Sequence, residues 1–132
     1  MQIMNKKAIQ TGASIAALSV ILGAFGAHGL KKIVSDPALL ASWDTAATYQ
    51  MFHAIAIILV AILMGHFENK NLSRAITAFV VGVILFSGSI YTLVLIKGTQ
   101  NIGLGPLGII TPIGGISFIL GWIFVILALK KK

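Results

Sequence analysis

The sequence predicts an all-α membrane protein with four transmembrane helices, and three observations carry that prediction. Hydrophobic residues make up 58% of the 132, and charged residues only 10%, whereas a soluble domain has roughly 25% charged residues. A chain long enough for one domain at most buries only about two-thirds of its surface in water, so the apolar excess has to face lipid. Finally, four segments approach the roughly 20 apolar residues that a span requires: about 8–27, 51–67, 75–96 and 113–129. The whole chain, 1–132, reads as a single integral membrane domain.

The first segment follows Lys6 and Lys7 and ends among small residues at Ala24 and Ala27, a layout shared with secretory signal peptides. The chain beyond it is equally apolar, so it reads as a retained span. Gly23, Gly26 and Gly29 recur every third residue, a spacing suited to close helix packing. Asp36 followed by Pro37 is a helix start, with Asp as N-cap and Pro at the first helical position. A helix beginning there meets no breaker before Phe67 and would be roughly 46 Å long, more than the hydrocarbon core. Its first turns therefore form an interfacial helical stretch between spans one and two, with Trp43 and Tyr49 at the headgroup level that such rings favour. The alternative is a separate short helix lying on the surface.

The connection Glu68–Arg74 is short and polar and reads as a tight hairpin loop. The segment 98–112 carries four glycines and two prolines, with no charge after Lys97. Such a segment is expected to interrupt the helix and to rest on the membrane surface, with a re-entrant segment packed among the helices as the alternative.

Seven of the ten cations, Lys6, Lys7, Lys70, Arg74 and Lys130 to Lys132, fall on one side of this topology, against Lys31, Lys32 and Lys97 on the other. The positive-inside rule then puts both termini in the cytoplasm of a multi-pass plasma-membrane protein. The net charge of +7 is accounted for by residues flanking spans, where anionic headgroups lie, and no basic patch interleaved with aromatics points to nucleic acid. The absence of cysteine excludes disulfides, thiolate metal sites and cysteine nucleophiles.

Polar residues away from the cytoplasmic ends concentrate in the predicted outer half: His28 closing span one, Trp43, Tyr49, Gln50 and His53 entering span two, Ser87, Ser89, Tyr91 and Thr92 in span three, Thr111 and Ser117 opening span four. Trp43, Ala47, Gln50 and His53 share a helix face by their steps of four and three. Buried in a membrane, Gln50 and His53 need partners. Interhelical hydrogen bonding is one role for the set. The other is a ligand site formed by His28, Trp43, Tyr49, Gln50, His53, Ser87 and Tyr91, in which His28 and His53 are the candidate metal ligands. A third strong ligand is lacking, since Asp44 lies at least two turns from His53. His66 reads as a solvated interfacial residue. No nucleophile elbow, phosphate-binding glycine loop or zincin motif is present, and the three acids Asp36, Asp44 and Glu68 give paired-carboxylate catalysis little to work with.

Four motifs occur in order: GAFGAHGLKK at Gly23–Lys32, the run from Trp43 to Ala54, FSGSIY at Phe86–Tyr91 and TPIGGISFILGW at Thr111–Trp122. In these the chain resembles the YgdD/YwdK family of small membrane proteins, a domain of unknown function, over essentially its whole length. The resemblance implies a four-helix plasma-membrane protein and implies no activity. The expected function is a non-enzymatic module binding a lipid, small molecule or protein partner near its outer face, with membrane lipids and a second copy of itself as expected partners. The competing readings are a small transporter or channel formed as an oligomer, and a His-based metal- or haem-binding membrane component.

Overall fold

The computed structural model describes residues 4–100 and 105–130. Four helices, each long and apolar enough to cross a bilayer, form an up-down bundle: α1 (Lys6–Ala27), α2 (Pro37–Leu63), α3 (Lys70–Gln100) and α4 (Leu107–Leu129). A short 3₁₀ turn, Leu30–Lys32, joins α1 to α2. No strand occurs among the described residues.

Local sequence starts three of the helices. The Asn5 side chain accepts the Ala8 N–H at 3.1 Å and that of Asp36 accepts the Ala38 N–H at 2.8 Å with Pro37 following. Asn69 works twice, accepting the Asn71 N–H at 2.9 Å and donating through Nδ2 to the Ala128 carbonyl at 3.0 Å. Each cap satisfies a backbone group that the first helical turn leaves open. The second Asn69 bond ties the end of α4 to the start of α3. Met4 packs beside Gly65, and Val34 packs against Gly98. One end of the bundle therefore carries the N-terminal residues, the 64–69 connection and the end of α4, and the other carries 28–36 and the turn into α4.

Three helices outrun their apolar windows. α2 begins at Pro37 and is continuous to Leu63, so the separate surface helix does not form. α3 begins at Lys70 instead of 75. The segment 98–112 is largely helical: α3 runs on to Gln100 and α4 starts at Leu107, with Pro112 inside it. Between them Gly105 takes a positive φ of 42°, a conformation glycine adopts at no steric cost; residues 101–104 of the expected loop lie outside the described residues. The expected interruption is confined to the stretch between Gln100 and Leu107, and the helices claim the rest of the segment because a backbone amide without a partner in lipid costs several kcal/mol. That exceeds the roughly 1 kcal/mol by which glycine disfavours a helix.

The bundle core has two apolar clusters with a polar layer between them. Toward the termini lie Ile57, Val60, Leu72, Ala75, Phe79 and Phe118. Toward the other end lie Leu30, Val34, Leu39, Trp43, Ile90 and Val94. Ser19, Gln50, His53 and Ser87, all buried, lie at intermediate depth. Gln50 is the central residue of α2, thirteen from each end. α2 begins at Pro37, as the Asp36–Pro37 pair predicted, so its polar positions Gln50 and His53 fall in the middle of the helix.

α3 contains a π turn over Val83–Ser87. Its buried residues are Leu72, Ala75, Phe79 and Gly82, then Ser87, Ser89, Ile90 and Val94. The step from Gly82 to Ser87 is one residue longer than an α-helical face allows, and the wider turn absorbs it, keeping both halves of α3 directed at α2. Against this turn lies Gly114 of α4, where a Cβ would run into the backbone of Leu85 and Phe86. A second close approach joins α1 to α2 at Gly12, where a Cβ would stand 2.9 Å from the Ala54 carbonyl oxygen. Of the three regularly spaced glycines near the end of α1, only Gly26 packs on another helix, against the Trp43 indole.

Candidate functional site

The residues singled out in the sequence separate into two constellations and one outlier. The first is the polar layer inside the bundle. Gln50 is 2% exposed, donates through Nε2 to the Ile15 carbonyl at 3.0 Å and accepts the Tyr91 hydroxyl at Oε1 at 2.7 Å. Trp43 donates its indole N–H to the Leu22 carbonyl at 2.8 Å and packs its ring on Tyr91, centroids 4.5 Å apart. Ser87 donates to the Ala46 carbonyl at 2.8 Å, and Ser19 reaches the Ala47 carbonyl at 2.7 Å. These side chains connect α1, α2 and α3, and each donates to a backbone carbonyl or to another member of the set. Trp43 is therefore an inward-facing core residue, not a headgroup anchor as its position in the sequence suggested.

The second constellation faces the membrane between α2 and α4. His53 stacks on Phe118 with ring centroids 3.6 Å apart and planes inclined by 15°. Its Nε2 lies 3.2 Å from the Trp122 indole nitrogen and its Nδ1 lies 2.7 Å from the Tyr49 carbonyl oxygen. An indole N–H is a donor only, so Nε2 must be the acceptor. The proton then sits on Nδ1 and is donated to Tyr49. The geometry thus selects one neutral tautomer with both nitrogens engaged. Tyr49 and Trp122, each close to half exposed, frame a groove of about 460 Å³ whose wall includes His53, Phe86, Phe118, Pro112 and Gly115. Tyr49 is one residue from the middle of α2.

His28 is the outlier. It closes α1, exposed, with its backbone N–H on the Phe25 carbonyl at 3.3 Å. Neighbouring Gly26 packs on Trp43, and His53 lies ten residues further along α2, about 15 Å down the helix axis. The two histidines proposed as a metal pair are thus held at different depths. The reason is that α1 and α2 run antiparallel from a short connection, which pairs the end of α1 with the start of α2. Among the described residues no three His, Cys, Asp or Glu side chains are grouped to hold a metal ion.

Phe118, Trp122 and Ser19 were not singled out in the sequence. Trp122 was findable: it sits fifteen residues into α4, far from the interfacial belt where tryptophan concentrates in membrane helices. Such a displaced tryptophan implies a polar partner at depth. Phe118 gave no signal, because it reads like any apolar residue of a span.

Comparison with known proteins agrees with this architecture. A family described as "Protein of unknown function (DUF423)" matches residues 22–115. The chain is similar to a UPF0382 membrane protein of Staphylococcus aureus (strain bovine RF122 / ET3-1), 45% identical over 120 residues, which cover 91% of this chain and 92% of that one. It is similar to the UPF0382 membrane protein YwdK of Bacillus subtilis (strain 168), 40% identical over 121 residues, 91% and 93% of the two chains. A UPF0382 membrane protein of Schizosaccharomyces pombe (strain 972 / ATCC 24843) is 44% identical over 107 residues, 80% and 86% of the two. No solved structure matches.

Proposed function

This chain belongs to the UPF0382 (DUF423) family of membrane proteins, whose function is unknown, and from that premise we propose that it is a non-enzymatic binding module for a lipid-soluble ligand seated in the α2–α4 groove. One observation carries this reading: an aromatic groove of about 460 Å³ opens to lipid with a histidine–tryptophan hydrogen bond in its wall. Ligand pockets are typically 300–1,000 Å³, apolar, with a few polar groups that fix orientation. Here the polar group is the 3.2 Å contact between Trp122 Nε1 and His53 Nε2. It is long for such a bond and offers one acceptor and one donor to a ligand hydroxyl or carbonyl that displaces it. The ligand's apolar body would lie against Phe118, Phe86 and Tyr49. Membrane lipids are the proposed partners, and the balance of cations supports cytoplasmic termini in the plasma membrane.

The transporter reading is weaker on this geometry, because the buried polar side chains at the bundle centre are bonded to backbone carbonyls of neighbouring helices. The metal or haem reading would require His53 to give up its Trp122 bond and to act without His28.

The test uses a photoactivatable diazirine fatty acid and a diazirine sterol, each with the full chain in nanodiscs. Crosslinks should concentrate on Tyr49, Phe118 and Ile119, and Gly115→Leu should remove them. A Cβ at Gly115 meets only the Phe86 ring, at 3.9 Å, so a larger side chain there fills the groove without disturbing the bundle. Crosslinks spread evenly along the exposed face of α4 and insensitive to Gly115→Leu would refute the proposal. Protein–protein crosslinks through the same residues would assign the groove to a second copy instead.

A further inference from the structure

A second membrane-facing feature runs along the seam of α1 and α2. Two adjoining cavities there share Gly23 and Asp44 as walls. One, of about 280 Å³, opens at the end of the bundle away from the termini, beside Lys31. The other, of about 270 Å³, continues toward the bilayer centre, reaching Met51 and Phe52, which lie about 10–12 Å further along α2 than Asp44. Together they make one trench with a cation and an anion at its mouth and an apolar far end.

Two features of this trench are not explained by packing. Asp44 presents an exposed carboxylate toward the trench mouth, where a cation or donor at the headgroup level can meet it. Gly23 is the other. A Cβ at Gly26 would collide with the Trp43 indole, but a Cβ at Gly23 would meet nothing within 4 Å. The bundle does not require glycine at position 23, and glycine is a poor helix former. What it leaves is open space in the trench floor, beside the acid.

We propose that the α1–α2 trench binds one zwitterionic phospholipid whose headgroup ends in a primary ammonium. Lys31 receives the phosphate, Asp44 receives the ammonium, and one acyl chain passes Gly23 toward Met51 and Phe52. A primary ammonium is favoured over a trimethylated one because a carboxylate forms charge-assisted hydrogen bonds with N–H donors. A quaternary ammonium is held instead by aromatic faces, and the aromatic ring at this mouth, Trp43, is buried against Tyr91 and Phe25. The proposal is independent of the His53 groove and stands or falls without it.

The experiment is native mass spectrometry of the purified full chain in mild detergent, offered equal amounts of dioleoyl phosphatidylethanolamine, phosphatidylcholine and phosphatidylglycerol. A 1:1 phosphatidylethanolamine adduct should exceed the phosphatidylcholine adduct by about fivefold, because choline presents no N–H donor to the Asp44 carboxylate. Asp44→Asn should bring that ratio to about one while total lipid retention persists, because the neutral amide no longer offers those N–H donors a charged acceptor. Gly23→Leu should abolish the adduct without lowering the melting temperature in detergent. Gly115→Leu, in the other groove, should leave the preference intact. Equal retention of the three lipids, a preference for phosphatidylglycerol, or a preference that survives Asp44→Asn would each overturn the proposal.

Discussion

Replacing Gln50 with leucine tests whether the central polar layer holds the bundle together. Leucine keeps most of the volume and removes both side-chain bonds, to the Ile15 carbonyl and from the Tyr91 hydroxyl. Interhelical hydrogen bonds in membranes are worth about 0.6 kcal/mol each on average and about 1.7 at most, so the two lost bonds cost about 1–3 kcal/mol. The Tyr91 hydroxyl, left without its acceptor beside a core cluster, adds about 1–2 kcal/mol. The Ile15 carbonyl lies within α1, where an α-helical bond remains open to it, so it adds little. The expected loss is therefore about 2–5 kcal/mol. Tyr91→Phe alone should cost about 1–2 kcal/mol, because Gln50 then keeps its α1 bond. The double variant should cost less than the two single losses combined, with a coupling of about 1 kcal/mol, since removing both partners leaves no orphaned group. Unfolding in mixed micelles by SDS titration, followed by steric trapping for the more stable variants, measures these differences. A coupling energy near zero, or a Gln50→Leu protein as stable as the parent, would refute the reasoning and show that the layer is not a structural network.

Three further outcomes follow from the same contacts. Gly114→Ala should destabilise the bundle by about 2–3 kcal/mol, because its Cβ meets backbone that cannot rotate away, whereas the adjacent Gly115→Ala should change stability by less than about 0.5 kcal/mol; the same SDS titration compares the two. Trp122→Phe should cost about 1 kcal/mol and leave His53 Nε2 without its donor, which a ¹⁵N spectrum of labelled histidine would register as a shifted Nε2 resonance. The chain contains no cysteine, so single cysteines at Lys32 and Lys70 report topology directly: an impermeant maleimide added to intact cells should label the first and spare the second, and the reverse pattern would invert the proposed orientation.

Lipid as solvent, the number of helices and their order are determined by the sequence alone. They follow from apolar windows and from the Asp36–Pro37 helix start, and each of those signals is local. The family too was legible, because its motifs are contiguous runs of sequence. The ends of the helices were less so: the breaker rules that predicted a loop over 98–112 describe chains in water, and a low-dielectric solvent makes the intrahelical bond worth more than the propensity it overrides. What only the tertiary structure decided is which polar residues meet. Sequence placed His28 beside His53 and left Phe118 unremarked. Antiparallel packing instead gives His53 to Trp122 and Phe118, sixty-nine and sixty-five residues away, gives Gln50 to Ile15 and Tyr91, and leaves His28 at the rim. The physical reason is that depth along a helix is set by its first residue and its crossing partner. A π turn over Val83–Ser87 and a glycine at 114 fix the register between α2, α3 and α4, and no single helix carries that information.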